Sequence, residues 1–521
     1  MLLSNERRGH RHIAAASASI ALVLLALFAM TSRAQAAELL FWNNYSATPQ
    51  TISVANGDGS AGGLLNLTGA TLDDPEGMAI DTVTGRLFVA SSSAASGKGE
   101  ILAVNLNGSG ATVFSAPGAL VDEPYGVVVD PATRLIYWAN NGSGSGDNGS
   151  IAWAKLDGSA GGLLNTAGAT VANPYKIGLD PVNGRVYWGN HPESGTEFIS
   201  YANVNNTGGG NLSLSKEPES SYAFAVDPGA GRLYWSEGLQ DRFAYTGLLG
   251  GTVNTLDTSA AIVDSSYGFA VDPALNKISW PNYNNSDDPV NGLGFASLTG
   301  GSGGNITPTA PFDGPQDLLV LKSPTGTAVP VIGRNAKNRT ALSCSTGGWA
   351  ADFAGGFVYQ APTTYAYQWT RNGAPIAGAT AATFTAKSAG SYACTVTAAN
   401  QAGSAAQASA ATKVKATKVK LTTKKKAKAD AGDLVTFKVK AVNQGDLKPK
   451  SAKVCVKLPN AAKDDLKAPK CKKLGQLKGR AKKTVTIKVK VKPGADEGTD
   501  KLTFQVKGAA GKAAKSKILV K

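Results

Sequence analysis

The sequence predicts an all-β protein, and three observations carry that expectation. A phrase made of an apolar run ending in Asp, a four-residue turn and an aromatic-rich strand recurs five times, at intervals of 45 to 50 residues. Apolar and polar residues alternate at the strand period within the copies and again through the C-terminal region. Gly is abundant, with 61 among 521 residues, and helix-period patterns are absent. A chain this long exceeds one core, and roughly 150 residues per domain points to about three domains.

From the N-terminus, residues 1–36 read as an export signal. Arg7, Arg8 and Arg11 precede an apolar run at residues 20–30, and Ala34-Gln35-Ala36 is a small-residue cleavage site, so the mature chain is expected to start near Ala37. The run is short for a bilayer span of about 20 residues. No transmembrane segment is expected after signal removal, and the C-terminus carries neither an anchor helix nor a cell-wall sorting pattern. The expected location is extracellular or at the cell surface. Four cysteines, Cys344, Cys394, Cys455 and Cys471, in an oxidising compartment favour two disulfides, with three pairings open.

The repeats follow. The copies are Gly77-Met78-Ala79-Ile80-Asp81, Gly126-Val127-Val128-Val129-Asp130, Lys176-Ile177-Gly178-Leu179-Asp180, Ala223-Phe224-Ala225-Val226-Asp227 and Gly268-Phe269-Ala270-Val271-Asp272. Gly85, Gly184 and Gly231 supply the positive φ that closes the turn; Asn276 can do the same, and Arg134 departs from the rule. Each Asp is expected to accept hydrogen bonds from turn amides rather than to bind metal. The text of residues 58–66 recurs at 157–165, which points to internal duplication. Such a period fits four-stranded propeller blades, because one blade cannot bury both faces alone. A sixth copy, Asp317-Leu318-Leu319-Val320-Leu321, lacks its second strand, while residues 38–44 look like that strand without a partner. Pairing them closes a six-bladed β-propeller over residues 37–322 and hides both sheet edges.

The Asp-Pro-x-x-Gly-Arg-x-Tyr-Trp strings, as in residues 180–188, followed by Ile-x-x-Ala-x-Leu-Asp-Gly-Ser, resemble the YWTD repeats of LDL-receptor class B propellers, which are six-bladed. NHL-type propellers and the gluconolactonase-like senescence-marker family share the general pattern. Where YWTD repeats have Thr-Asp, this chain has Ala139-Asn140, Gly189-Asn190, Ser236-Glu237 and Pro281-Asn282. Asn keeps a structural hydrogen bond but loses the charge, so the resemblance implies the fold and not a calcium or receptor-specific role.

Residues 325–411 have a different texture. Cys344, Trp369, Tyr392 and Cys394 follow the Cys, Trp, Tyr-x-Cys layout of an immunoglobulin sandwich, and residues 365–373 resemble a strand and hairpin of Ig-like modules in bacterial exported proteins. The resemblance implies a Cys344–Cys394 bridge, worth about 4 kcal/mol in chain entropy. The stretch holding Trp349, Phe353, Phe357 and Tyr359 is expected to cover the end of that sandwich, with ligand binding the alternative. Residues 412–428 read as a Lys-rich linker, extended for want of apolar anchors. Residues 429–521 read as a basic β-sandwich with Lys on one face of its strands, resembling Ig-related repeats of bacterial surface proteins, which implies a local Cys455–Cys471 bridge. The full expectation is thus a six-bladed β-propeller followed by two Ig-like β-sandwiches.

Catalysis lacks its usual groups. After signal removal the sole His is His191, expected to be an exposed structural residue, and zinc spacings are absent. Residues 282–288 carry oxygen ligands without the fixed spacing of a calcium loop, so no cofactor is expected and calcium is the one open candidate. The candidate binding residues are those just before each inner strand: Glu76, Tyr125, Tyr175, Tyr222, Tyr267 and Gln316. Strands that start at one face place them around the channel opening, where Tyr offers flat apolar area with a polar tip to a protein, peptide or glycan partner; the competing expectation is that each Tyr merely packs between blades. Residues 411–521 hold 32 Lys and Arg against 8 Asp and Glu, a net of +24, so with +15 overall the rest carries −9. The partner expected for the basic part is an anionic cell-envelope polymer; export makes a specific nucleic acid unsuitable. Recognition or adhesion is the expected function, with a metal-dependent hydrolase or lactonase at the propeller channel as the alternative.

Overall fold

A computed structural model describes residues 38–67, 69–93, 98–143, 146–283 and 292–521. The export signal and residues 284–288 of the candidate calcium loop lie outside the described residues. The chain is nearly all β; the one α-helix among the described residues is the single turn Ala462–Asp465. Two compact units are present. The first comprises the described residues up to Thr325 with Trp349–Thr364 and Ala399–Ala405; the second comprises Gly326–Gly348, Tyr365–Ala398 and Ala406–Lys521.

The first unit is β-propeller-like. Six sheets, antiparallel except for one added parallel strand in each of two, have as their inner repeat strands Pro75–Asp81, Pro124–Asp130, Pro174–Asp180, Ser221–Asp227, Ala270–Asp272 and Leu318–Lys322. Each innermost strand packs on that of the next sheet, and Leu318–Lys322 packs on Pro75–Asp81, so the array closes on itself. Closure is made by Glu38–Asn44, which pairs with Leu318–Lys322 in a register running from Glu38↔Lys322 to Trp42↔Leu318. Asn43, fully buried, then ties this sheet to the first one. Its Oδ1 accepts from the Gln316 and Asp317 amides at 2.9 and 2.8 Å, and its Nδ2 donates to the Pro75 and Glu76 carbonyls.

Repeated side-chain bonds fix each sheet. Asp81, Asp130, Asp180, Asp227 and Asp272 accept turn amides at 3.0–3.2 Å, as the sequence predicts. Arg134 holds the left-handed φ of 61° that Gly supplies elsewhere, and its guanidinium binds Asp81 of the preceding sheet, Nη2 to Oδ2 at 2.7 Å. Trp42, Trp138, Trp188 and Trp280 are buried, and their indole N–H groups donate to the carbonyls of Pro311, Leu120, Thr170 and Ile262 at 2.9–3.1 Å. Two residues beyond these Trp, Asn44, Asn140, Asn190 and Asn282 accept the amides of Asp313, Asp122, Ala172 and Asp264. Asn at this repeated position therefore makes the structural hydrogen bond expected of it.

Trp349–Thr364 departs from expectation. It belongs to the first unit, where the turn Ala354–Gly356 contacts the innermost strands of four sheets and Val358–Tyr359 pairs parallel to Leu318–Lys322. Gly355 and Gly356 are required by close approach: a Cβ on either would lie 2.5 Å from Leu179 O or 2.2 Å from Val271 O. Phe357 and Tyr359 are buried, and Asp352 accepts from Thr82 Oγ1 and from the Gln360 and Ala361 amides. These aromatics fill the end of the ring where the innermost strands finish; the physical reason is that converging strands leave an apolar hole too wide for their own side chains.

In the second unit, Cys344 of the sheet Ile332–Arg334, Ala341–Cys344 and Thr383–Thr385 is bridged to Cys394 of the sheet containing Gly390–Asn400. Trp369 lies fully buried against Phe384, and Tyr392 donates its hydroxyl to Ser388 O at 2.7 Å. Two further five-stranded sheets follow, with Phe437 against Phe504 between them and a Cys455–Cys471 bridge. The expected linker 412–428 is instead built into strands, Thr412–Val414, Val419–Thr422 and Lys426–Ala429. Val419, Leu421, Ala427 and Ala429 join the core, so alternate apolar residues suffice to hold a Lys-rich strand despite its charge.

Candidate functional site

The site begins with an irregularity shared by four sheets. Strand register shifts between Pro75 and Met78, Pro124 and Gly126, Pro174 and Ile177, and Ser221 and Phe224. A bulge of this kind re-aims the side chain it carries. The residues within these bulges are Glu76 with Gly77, Tyr125, Tyr175 with Lys176, and Tyr222 with Ala223. All begin an innermost strand at the same end of the ring.

The structure brings four predicted tyrosines together. Ring centroids are 4.7 Å apart for Tyr125–Tyr175, 5.3 Å for Tyr175–Tyr222 and 4.7 Å for Tyr222–Tyr267, within the range of favourable aromatic pairs. The run continues to Tyr283 at 5.1 Å from Tyr267, and His191 stacks on Tyr222 at 5.2 Å with an interplanar angle of 10°. Every one of these rings is half-buried. The hydroxyls of Tyr125, Tyr175 and Tyr267 have no hydrogen-bond partner among the described residues; burial raises that of Tyr222, with Ser220 opposing the shift. Burial pushes the Tyr267 hydroxyl up to about 12, with neighbouring tyrosines and Glu76 adding to it. Tyr45 rises to about 12 through burial, with the charges of Glu76 and Asp74 adding to it.

His191 is not the exposed residue expected. Its Nδ1 faces Glu197 Oε1 at 3.0 Å and its Nε2 faces Ser221 O at 3.1 Å, so both ring nitrogens are engaged and the ring serves as a bracket for Tyr175 and Tyr222. Burial opposes ionisation of Glu197, but His191 and the Ser221 amide hold its carboxyl below the usual range.

Glu76 also differs from expectation. It is buried rather than set at the channel mouth, and its Oε2 lies 3.8 Å from Lys176 Nζ, itself buried. Lys176 Nζ donates to Glu76 O and reaches Tyr125 O at 3.4 Å. Asp317 completes a charged trio, accepting the Met78 and Leu318 amides at 2.7 and 2.9 Å. Burial raises Glu76 to about 7 and Asp317 to about 6, with Lys176 opposing both shifts; burial lowers Lys176. Gln316 is buried beside the trio and joins no ring contact.

Lys176 and Asp317 escape a reading of single copies but not an alignment of them. The position after the predicted site residue reads Gly77, Gly126, Lys176, Ala223, Gly268 and Asp317. A Cβ on Gly77, Gly126 or Gly268 would come within 2.5–2.6 Å of the next strand's backbone, so three of the six positions require glycine, and the ring accommodates two charged side chains of opposite sign at the positions of Lys176 and Asp317. Tyr45, His191 and Tyr283 share another repeated position, directly after Asn44, Asn190 and Asn282. Beyond the trio, towards Phe357, the channel narrows to a cavity of about 10 Å³ lined by Lys176, Phe224, Phe269, Asp317 and Phe357, room for a water at most. Among the described residues no group of three or more His, Cys, Asp or Glu is arranged to hold a metal ion, and no helix is long and apolar enough to cross a membrane.

No protein-family profile matches the sequence, and no curated protein does. Solved structures with a loose likeness include a gluconolactonase from Xanthomonas campestris, 14% identical over 55% of this chain and 90% of that one, TM-score 0.35. TolB from Acinetobacter baumannii is 13% identical over 54% and 66%, TM-score 0.37. A putative 6-phosphogluconolactonase from Bacteroides fragilis is 12% identical over 56% and 99%, TM-score 0.37. Likenesses at this level carry nothing about activity.

Proposed function

We propose that this chain is an exported recognition or adhesion protein. Its six sheets act as the blades of a YWTD-like propeller, and Ig-like sandwiches follow. The propeller presents its aromatic mouth to a protein, peptide or glycan partner. The observation that carries this reading is the unbroken run of half-buried rings from Tyr125 to Tyr283, with three Tyr hydroxyls unpartnered among the described residues. Such rings offer wide contact at low entropy cost and a hydrogen-bonding tip. The near-closed channel beneath them makes the ligand rest on the mouth rather than enter the ring. The export-signal text and two disulfides support an extracellular or surface location.

The hydrolase or lactonase alternative has weaker support. Both Asp317 oxygens accept backbone amides and Glu76 is paired with Lys176, so the channel carboxylates are already engaged. A screen of the chain from Ala37 against glycan and peptide arrays tests the recognition reading. The Tyr125→Phe/Tyr175→Phe/Tyr267→Phe variant, which keeps the rings and removes the free hydroxyls, is expected to lose the hits; a lactone turned over by the wild type would favour the alternative.

A further inference from the structure

The second unit carries a feature that the aromatic mouth does not explain. A groove of about 800 Å³ runs between residues 337–340 and 385–387 on one side and residues 446–450, 476–479 and 508–509 on the other. Lys337, Arg339, Lys387, Lys448, Lys450 and Lys478 line it, and the one acidic residue in the lining is Asp446. That carboxylate is not free to offset them. Its side chain is fully buried and held by Arg334 Nη1 at 3.2 Å, Arg339 Nε at 3.0 Å, Arg480 Nε at 3.3 Å and the Lys415 amide at 2.8 Å. Three guanidiniums on one carboxylate leave a local excess of positive charge. Arg339 is bound through Nε alone, so its two terminal nitrogens have no partner among the described residues. The groove continues into a second hollow of about 390 Å³ that shares Lys448 and Lys450 and adds Lys453 and Lys473.

We infer that this groove binds a linear polyanion of closely spaced phosphates. Lys dominates the lining, and a lysine acts as a point charge on a flexible stem, which reads charge density rather than planar geometry. The lining holds no aromatic residue, so the stacking on which single-stranded nucleic acids depend is missing. A concave groove admits a thread-like chain, whereas a flat bilayer cannot follow its walls. Asp446 holds the lining residue Arg339 in place, alongside Arg334 and Arg480.

The test uses the chain from Ala37 titrated with long-chain inorganic polyphosphate by fluorescence anisotropy, over a range of salt. The variant Lys448→Glu/Lys450→Glu/Lys478→Glu is compared with Lys438→Glu/Lys440→Glu/Lys488→Glu, which reverses the same number of exposed charges on strands outside the groove. The groove variant is expected to bind roughly tenfold or more weakly and with a shallower salt dependence, and the control to change less than about threefold. Equal losses in the two variants would overturn the proposal, because the charge would then act as a diffuse cloud. So would binding indifferent to salt, or competition by single-stranded DNA or phosphatidylglycerol vesicles as strong as by polyphosphate itself. Circular dichroism checks folding, and Lys→Gln at the same positions replaces any variant that fails to fold.

Discussion

The closed ring and the Lys-rich sheets of the second unit use the same two-residue period to opposite ends. The inner strand Pro124–Asp130 is buried on both faces, with six of seven residues inside, whereas Leu434–Asn443 alternates exposed and buried almost throughout. A strand buried on both faces cannot rely on pattern to fix its register, so the ring uses buried Asn, Asp and Trp bonded to backbone at repeated positions. The Lys-rich strands leave their polar face to water and are specified by alternation alone. Hence single polar substitutions should be severe in the ring and nearly silent on the Lys face.

The largest effect expected is at Lys176. Lys176→Met leaves Glu76 and Asp317 buried without their cation, at about 4 kcal/mol of stability at neutral pH. Chemical denaturation measures the loss, which should shrink on acidification as the two carboxyls take up protons; a loss unchanged by pH would show that the trio is not the cause.

Next comes the pH dependence of the trio itself. Folded Glu76 holds its proton up to about pH 7, against an ordinary value of 4.5, so the folded state binds more protons across that window. Stability therefore falls as pH rises from 4.5 to 7 and levels above it, by roughly 3 kcal/mol from this group. Glu76→Gln should flatten that part of the curve, as read by thermal melts at pH 5 and pH 8; parallel curves for the two proteins would refute the assignment.

Asn43→Ala follows, at about 2 kcal/mol, because two buried amides lose their acceptor where the ring closes. Hydrogen exchange should show the added opening concentrated in Glu38–Asn44 and Leu318–Lys322. At the bottom of the scale, Lys488→Thr on the exposed face of Lys482–Val491 should change stability by less than about 0.5 kcal/mol. A loss comparable to that of Asn43→Ala would erase the distinction between the two regions.

Much of the ring was legible because repetition exposes what a position requires. Residues 38–44 read as a strand without a partner, and the four tyrosines read as a common position before the inner strand. The charged trio was hidden because Lys176 and Asp317 each occur once, where other copies carry Gly or Ala, and their meaning appears only when all six strands converge. Trp349–Thr364 was illegible for another reason: it has no period, and its aromatics fit a hole made by strands far away in sequence. Residues 412–428 misled through charge, which concealed alternation of Val, Leu and Ala with Lys.

Retention on isolated cell envelopes in high salt, where the basic groove is screened, tests the recognition role of the aromatic mouth most directly. Wild-type chain from Ala37 should stay bound while the Tyr125→Phe/Tyr175→Phe/Tyr267→Phe variant, with its melting temperature preserved, is released. Equal retention of the two proteins, or no retention of the wild type, would contradict that role.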